Sequence, residues 1–223
     1  MKIIGHRGAK GLAPENTLAS FKKALEHHVD EIELDVRVTH DGHVILSHDS
    51  HLEDQSGTRL TVHASTYSEL KKHKPDLATL DEAITAINKR VPIMIEVKPG
   101  VPVAPVAVVV RAALTSGWQS EDFSFVSFSF PVLKQLHREF PGINMVVDEM
   151  WSGVRATYRA HRLHTKRINL YRKVVWSGFV AGLHHRGYEL AVFPLNDIEK
   201  ARRWQKHGLA GVITDYPDRF EKF

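Results

Sequence analysis

The stretch ELDVRVTHDGHVILSHD, residues 33–49, decides how the rest of the chain is read. Acidic side chains alternate with Leu34 and Val36 inside what is otherwise a buried-strand pattern. Residues two apart on a strand share a face, so Glu33 and Asp35 point the same way. Two neighbouring carboxylates in an apolar segment repel each other, and each loses hydration. A bound cation is the simplest compensation.

Outward from this stretch, short apolar runs alternate with segments of helical periodicity. The strand candidates are KIIGH, EIELDV, HVILSH, PIMIEVK, DFSFVSF, INMVV, RINLY, ELAVF and AGVIT. Helical segments such as NTLASFKKALEHH, TLDEAITAINKR and DIEKARRWQKHG lie between them. Repeated strand-then-helix order predicts a parallel sheet with helices outside it. With HVILSH counted as a barrel strand and one irregular edge allowed, the units number about eight, as in a closed (β/α)8 TIM barrel. An open doubly wound sheet is the rival, but GAKGLAPEN lacks the glycine spacing of a dinucleotide turn. The polar stretch from about Ser50 to Asp76 reads as a small excursion over the barrel mouth, and residues 1–223 as one domain.

Composition narrows the class. The 223 residues are 43% hydrophobic and 25% charged, as in a globular protein. There is no cysteine, which excludes a disulfide framework, a thiolate metal site and a cysteine nucleophile. MKIIGHRGAK is too short and too quickly charged for a signal peptide, and VPVAPVAVVV is too short to span a bilayer. A cytoplasmic enzyme without a membrane anchor is the expectation. The net charge of +4 is concentrated in RATYRAHRLHTKRINLYRK, residues 155–173. No nucleic-acid motif surrounds Tyr158 or Tyr171, so this segment reads as a solvated basic helix and no nucleic-acid partner is expected. The sequence sets no oligomeric state.

A barrel of this type carries its active site at the C-terminal ends of its strands. That rule collects His6 and Arg7, Glu33 and Asp35, His48 and Asp49, and Glu96 and Lys98. Taken singly, His6 reads as a core histidine and Glu96 with Lys98 as an ion pair; together they make a site. Three carboxylates suit a hard divalent cation, Mg²⁺ or Ca²⁺, ahead of zinc, although His6 or His48 would suit a softer metal. Arg7 and Lys98 supply fixed positive charge for phosphate, and two histidines can divide acid and base duties near neutral pH. This set describes phosphate-ester cleavage.

HRGAKGLAPENT at 6–17, ELDVRVTHDGHVILSHD at 33–49, IEVK at 95–98 and GVITDYPD at 211–218 together resemble the glycerophosphodiester phosphodiesterase family. The resemblance implies a TIM barrel with a small insertion after the HD motif, at about residues 50–78. It implies one divalent metal on Glu33, Asp35 and Glu96, with His6 and His48 as the acid–base pair. By the same resemblance Arg7 contacts phosphate, Lys98 lies near the same charge, and Glu15 matches a site glutamate of open role. The implied substrate is a small glycerophosphodiester, cleaved to glycerol 3-phosphate and an alcohol. Two departures are visible. FPLN, from Phe193 to Asn196, stands where many relatives carry Trp-Thr-Val-Asn, and SFS, from Ser127 to Ser129, replaces an SFD- or SFN-like triplet. Both fall where the alcohol or glycerol moiety is expected, with Phe193 keeping an aromatic surface there. Two alternatives stand beside this reading. One is lysophospholipase D-type hydrolysis, with Leu52, Leu60 and Val62 lining an acyl groove. The other is a non-catalytic barrel that only binds a phosphodiester.

Overall fold

The computed structural model describes residues 1–53, 57–221 and 223. Its strands are β1 (Lys2–Gly5), β2 (Glu31–Val38), β3 (Val44–Leu46), β4 (His51–Glu53), β5 (Arg59–Thr61) and β6 (Ile93–Val97). They continue with β7 (Phe123–Ser127), β8 (Asn144–Glu149), β9 (Arg167–Tyr171), β10 (Glu189–Phe193) and β11 (Gly211–Thr214). Parallel pairing runs β1-β11-β10-β9-β8-β7-β6-β2, and β1 also pairs with β2, which closes a ring of eight. The helices are α1 (Leu18–Glu26), α2 (Tyr67–His73), α3 (Leu80–Ile87) and α4 (Val103–Thr115). After them come α5 (Phe130–Glu139), α6 (Gly153–Arg162), α7 (Ser177–His185) and α8 (Ile198–Gln205). The chain is a (β/α)8 TIM barrel.

Strand parity sorts the side chains. Ile32, Leu34, Val36, Ile93, Ile95, Val97, Phe123 and Phe125 belong to the layer between strands and helices. Their neighbours Ile4, Met94, Val126, Val146, Ala191 and Ile213 form a second, smaller core inside the ring. β7 is covered on both faces and buried throughout: Phe123, Phe125 and Val126 pack, while Ser124 donates to the Glu31 carboxylate and Ser127 to the Val97 carbonyl. The same inward parity continued toward the C-terminal ends gives charged residues in place of aliphatic ones. Helix starts are set locally. Thr17 accepts a hydrogen bond from the Ser20 N–H, while Thr79 and Glu82 form a reciprocal capping box on α3.

HVILSH is not a barrel strand. β3 pairs antiparallel with the outer half of β2, Val36 opposite Leu46 and Val38 opposite Val44, and stands outside the ring. The turn that joins them, through Gly42 at φ +87°, is far too short for the crossover that parallel strands need. The other eight strand candidates supply the barrel. Within the excursion, β4 and β5 form a hairpin, and α2 follows. Leu52, Leu60 and Val62, the residues considered for an acyl groove, pack with Ile45, Leu70, Leu77 and Tyr67 in a small core of their own, Val62 fully buried and Leu52 and Leu60 partly so. Leu46 N–H donates to Ala78 and His40 N–H to Ser65, which ties the excursion to the β2–β3 hairpin. On these ties we propose that residues 1–223 fold as one unit.

The turn after β1 is tightly constrained. Gly8 has φ +82°, and a Cβ there would lie 2.7 Å from the carbonyl carbon of Ser20. Gly8→Ala should therefore destabilise the fold by about 1–3 kcal/mol, the usual cost of a forced left-handed residue plus a clash. An unchanged midpoint in urea unfolding would show that the turn can relax.

Candidate active site

His6, Arg7 and Gly8 leave β1 in a tight turn that is stitched to its neighbours. His6 N–H donates to Thr214, Arg7 N–H to the Glu33 carboxylate at 2.8 Å, and Gly8 N–H to the Glu33 carbonyl. Ser20 Oγ donates to the Arg7 carbonyl and accepts from Ala9 N–H. Arg7 is held at φ +49°, a left-handed conformation uncommon for a residue with a Cβ. The turn faces a cavity of about 390 Å³ at the C-terminal end of the barrel.

His6, Arg7, Glu33, His48, Glu96 and Lys98 line this cavity, and Phe193 lies on its far wall. Asp35 stands just behind, buried. Glu33, Asp35 and Glu96 each bring one oxygen within 4.8 Å of the others. Lys98 Nζ sits 2.7 Å from Glu96 and 2.6 Å from Asp35, while Arg7 Nε is 3.1 Å from Asp35. Glu15 takes Arg7 Nη1 at 2.8 Å and also pairs with Lys10, so it grips the guanidinium from outside. His48 reaches the cavity from the loop after β3, not from a barrel strand. Arg37 fixes that loop by donating twice to the His48 carbonyl, and His48 Nδ1 pairs with Asp49 at 2.8 Å.

Four site residues were not read from the sequence. Asp215, just after β11, lies 2.6 Å from His6 Nδ1. Asn196 donates to Asp215 Oδ2 and accepts from the Asp215 N–H, so it holds that carboxylate in place. Asp148 on β8 lines the cavity and accepts from Asn169 of β9. The signal for Asp148 was the inward parity of INMVVDEM, and for Asp215 the strand end in GVITD. In the SFS triplet, Ser127 turns away and donates to the Val97 carbonyl, leaving Phe128 on the cavity wall.

The profile of the glycerophosphoryl diester phosphodiesterase family matches residues 6–219. The chain belongs to that family. A glycerophosphodiester phosphodiesterase of Bacillus altitudinis is 29% identical over 242 residues, covering 99% of this chain and 97% of its own. The crystal structure of the glycerophosphodiester phosphodiesterase of Thermotoga maritima superposes with a TM-score of 0.80 at 26% identity, covering 100% and 97% of the two chains. A phosphodiesterase of Oleispira antarctica, solved with its product sn-glycerol-3-phosphate, gives a TM-score of 0.87 at 24% identity over 100% and 96%. No helix among the described residues of this family member is long and apolar enough to cross a membrane.

The electrostatics of this phosphodiesterase site test whether a metal would fit. Four buried carboxylates, Glu33, Asp35, Glu96 and Asp148, share two cations, Arg7 and Lys98. Burial, then the charge of Asp35, pushes Glu33 up to about 8. The same two causes raise Glu96 well above the usual carboxylate range, and burial pushes Asp148 up to about 7. Burial would raise Asp35 too, but Lys98 and Arg7 outweigh it and hold Asp35 low. Asp35 Oδ1, though close to Lys98, has no aligned hydrogen-bond donor. The cluster is short of positive charge, and its all-oxygen donor set could hold a metal ion.

A stability test follows from these shifts. Without metal, Glu33 keeps its proton in the fold up to about pH 8, while the unfolded chain loses it near pH 4.3. The folded state then binds more protons, so stability falls as pH rises through that window. The melting temperature of chelator-treated protein should decline from about pH 5 to pH 8, and Glu33→Gln should make the decline shallower, with Glu96 and Asp148 carrying the rest. A flat wild-type profile would mean that the carboxylates carry no such strain.

Proposed function

We propose that this enzyme hydrolyses small glycerophosphodiesters to glycerol 3-phosphate and an alcohol, using one divalent ion, Mg²⁺ or Ca²⁺, held by Glu33, Asp35 and Glu96. The observation that carries this reading is the meeting of that triad with two histidines and two cations on one cavity. When bound, the ion would supply Lewis-acid stabilisation to charge gathering on the phosphoryl oxygens. Everything else is the work of side chains.

Arg7 and Lys98 draw the phosphate in and orient it. Glu15 and Asp35 anchor the guanidinium from two sides, so its remaining donor edge has a fixed direction. His6 and His48 move the protons. Burial pushes Asp215 up, but its bonds to His6 and Asn196 outweigh this and bring it down to about 2, so it is an anion at neutral pH. As an acceptor it places the His6 proton on Nδ1 and leaves Nε2 for the reaction. Burial and the charges of Lys98 and Arg7 lower the pKa of His48, which favours its neutral form as a base. One imidazole takes the nucleophile's proton while the other gives one to the departing alkoxide. The nucleophile is water or the neighbouring glycerol hydroxyl, the latter with a large proximity advantage.

Each histidine should matter on its own. His6→Ala and His48→Ala should each lose at least about a hundredfold in turnover with the fold intact, since positioned acid–base catalysis gives about 10²–10⁴. Asp215→Asn should cost less and change the pH–rate profile. The scheme is wrong if either alanine variant, folded and metal-loaded, turns over at the parent rate.

Metal and clamp are tested together. Chelated protein should be inactive on glycerophosphocholine and glycerophosphoethanolamine and recover with Mg²⁺ or Ca²⁺. Glu33→Ala, Asp35→Ala and Glu96→Ala should each weaken that recovery severely. Arg7→Lys should impair turnover despite keeping the charge, because lysine cannot bridge Glu15 and Asp35. Lys22→Arg, on the exposed face of α1, should be silent. Activity that survives chelation would remove the metal from the scheme, and a fully active Arg7→Lys enzyme would reduce the clamp to simple charge.

A further inference from the structure

Between Glu149 and Glu189 the chain has no carboxylate over 39 residues, yet it carries eight lysines and arginines. Four of the seven large exposed hydrophobics among the described residues lie in the same segment: Trp151, Val154, Tyr158 and Trp176. Exposures of 74% for Trp151, 81% for Val154 and 62% for Trp176 are high for side chains of this type. Val154 and Tyr158, four residues apart, share an exposed face of α6, and Trp151 stands just before its N-cap Ser152.

The patch is continuous across two helices. Gly153 lets the start of α6 approach α7 so closely that a Cβ there would overlap the Phe179 ring. Phe179 in turn packs on Trp176, with ring centroids 5.0 Å apart. Both helices begin at the C-terminal ends of barrel strands, so the patch borders the mouth of the catalytic cavity. Met150 and Tyr171, the residues leading into these helices, line that cavity. Cations frame the aromatic residues: Arg155 and Arg159 share the single anion Glu149, while Arg172 and Lys173 flank Tyr171.

From this we infer that the α6–α7 face docks on an anionic lipid surface, with Trp151, Val154 and Trp176 entering the headgroup layer. Exposed tryptophans beside arginine and lysine, on helices whose sequence carries no carboxylate between Glu149 and Glu189, match what an interfacial lipid site requires. An acidic protein surface would use the cations but would not need the bare indoles. The docking would turn the cavity mouth toward the bilayer.

The four tryptophans make the test direct, because Trp118 and Trp204 are buried and only Trp151 and Trp176 face solvent. The full chain is mixed with vesicles of phosphatidylcholine, with or without phosphatidylglycerol, at low and high salt. Tryptophan emission should shift to the blue, and the protein should sediment with the anionic vesicles at low salt only. Val154→Asp and Trp176→Ser should each lower that partitioning about tenfold or more, in line with the apolar area removed from the interface. Both variants should keep parent turnover of glycerophosphocholine in solution, which certifies their folds separately from docking. The proposal fails if anionic vesicles do not bind the protein at low salt, or bind both variants as well as the parent. It also fails if the parent is a dimer that Val154→Asp dissociates, because a second copy would then cover this face.

Discussion

The site depends on a shortage of positive charge that the barrel enforces. Closure of the ring aligns β1, β2, β6 and β8 so that Glu33, Asp35, Glu96 and Asp148 meet where water is largely excluded. Two cations cannot satisfy four carboxylates, so some stay protonated or wait for a further positive charge. Neither state would persist in a flexible chain, which would let the acids separate. Parallel strands packed on both faces do not permit that separation. The apolar layer of Ile4, Met94, Val126, Val146, Ala191 and Ile213 beneath the site fills the barrel and shuts it off from below.

Much of this was legible because strand parity is simple. Acids two apart in ELDV and the alternation in IMIEVK identify inward positions without knowledge of the neighbours. The count of eight was reached, but through HVILSH, which pairs antiparallel with β2 outside the ring. Composition cannot separate a barrel strand from an edge strand; the few residues between Val38 and Val44 could have done so. Asp148 and Asp215 stood at strand ends that the same parity marks. Neither has a second acid two residues away on its own strand face, and only the folded ring brings Asp148 to Asn169 and Asp215 to His6.

Backbone strain gathers at the same place. Arg7 and Asn16 both adopt positive φ, and both hold Asp35, one through its guanidinium and the other through its side-chain amide at 2.8 Å. Asn16 also accepts from the Asp35 backbone N–H, so this carboxylate is fixed at both ends. Such conformations cost free energy, and the surrounding hydrogen bonds from Ser20 and Glu33 keep them in place. Asp35 is the best-held member of the triad and the one that stays ionised, which makes it the fixed point around which Glu33 and Glu96 arrange themselves.

The cavity has two unlike sides, and their separation carries a consequence for specificity. β1, β2 and β6 bring the charges, while Phe128, Met150, Tyr171 and Phe193 extend the apolar wall on the β7–β10 side. Phe193 meets both Phe128 and Tyr171 at ring-centroid distances near 6 Å, so the wall is one packed surface and not a set of separate side chains. On the function proposed above, a phosphate held by Arg7 and Lys98 would bring one ester arm toward this wall. The SFS and FPLN departures fall there too: Phe128 and Phe193 present rings, while Asn196 commits its carbonyl oxygen to Thr214 and Asp215 and one amide hydrogen to Asp215. On the same proposal, discrimination between alcohols would rest largely on shape and apolar contact with this wall, and bond breaking on the charged side. Changes to the wall can alter which diester fits without disturbing the carboxylates. Met150 and Tyr171 on this wall lie in the chain just ahead of Trp151 and Trp176, so the segments that shape the apolar side of the site also carry the exposed indoles of α6 and α7.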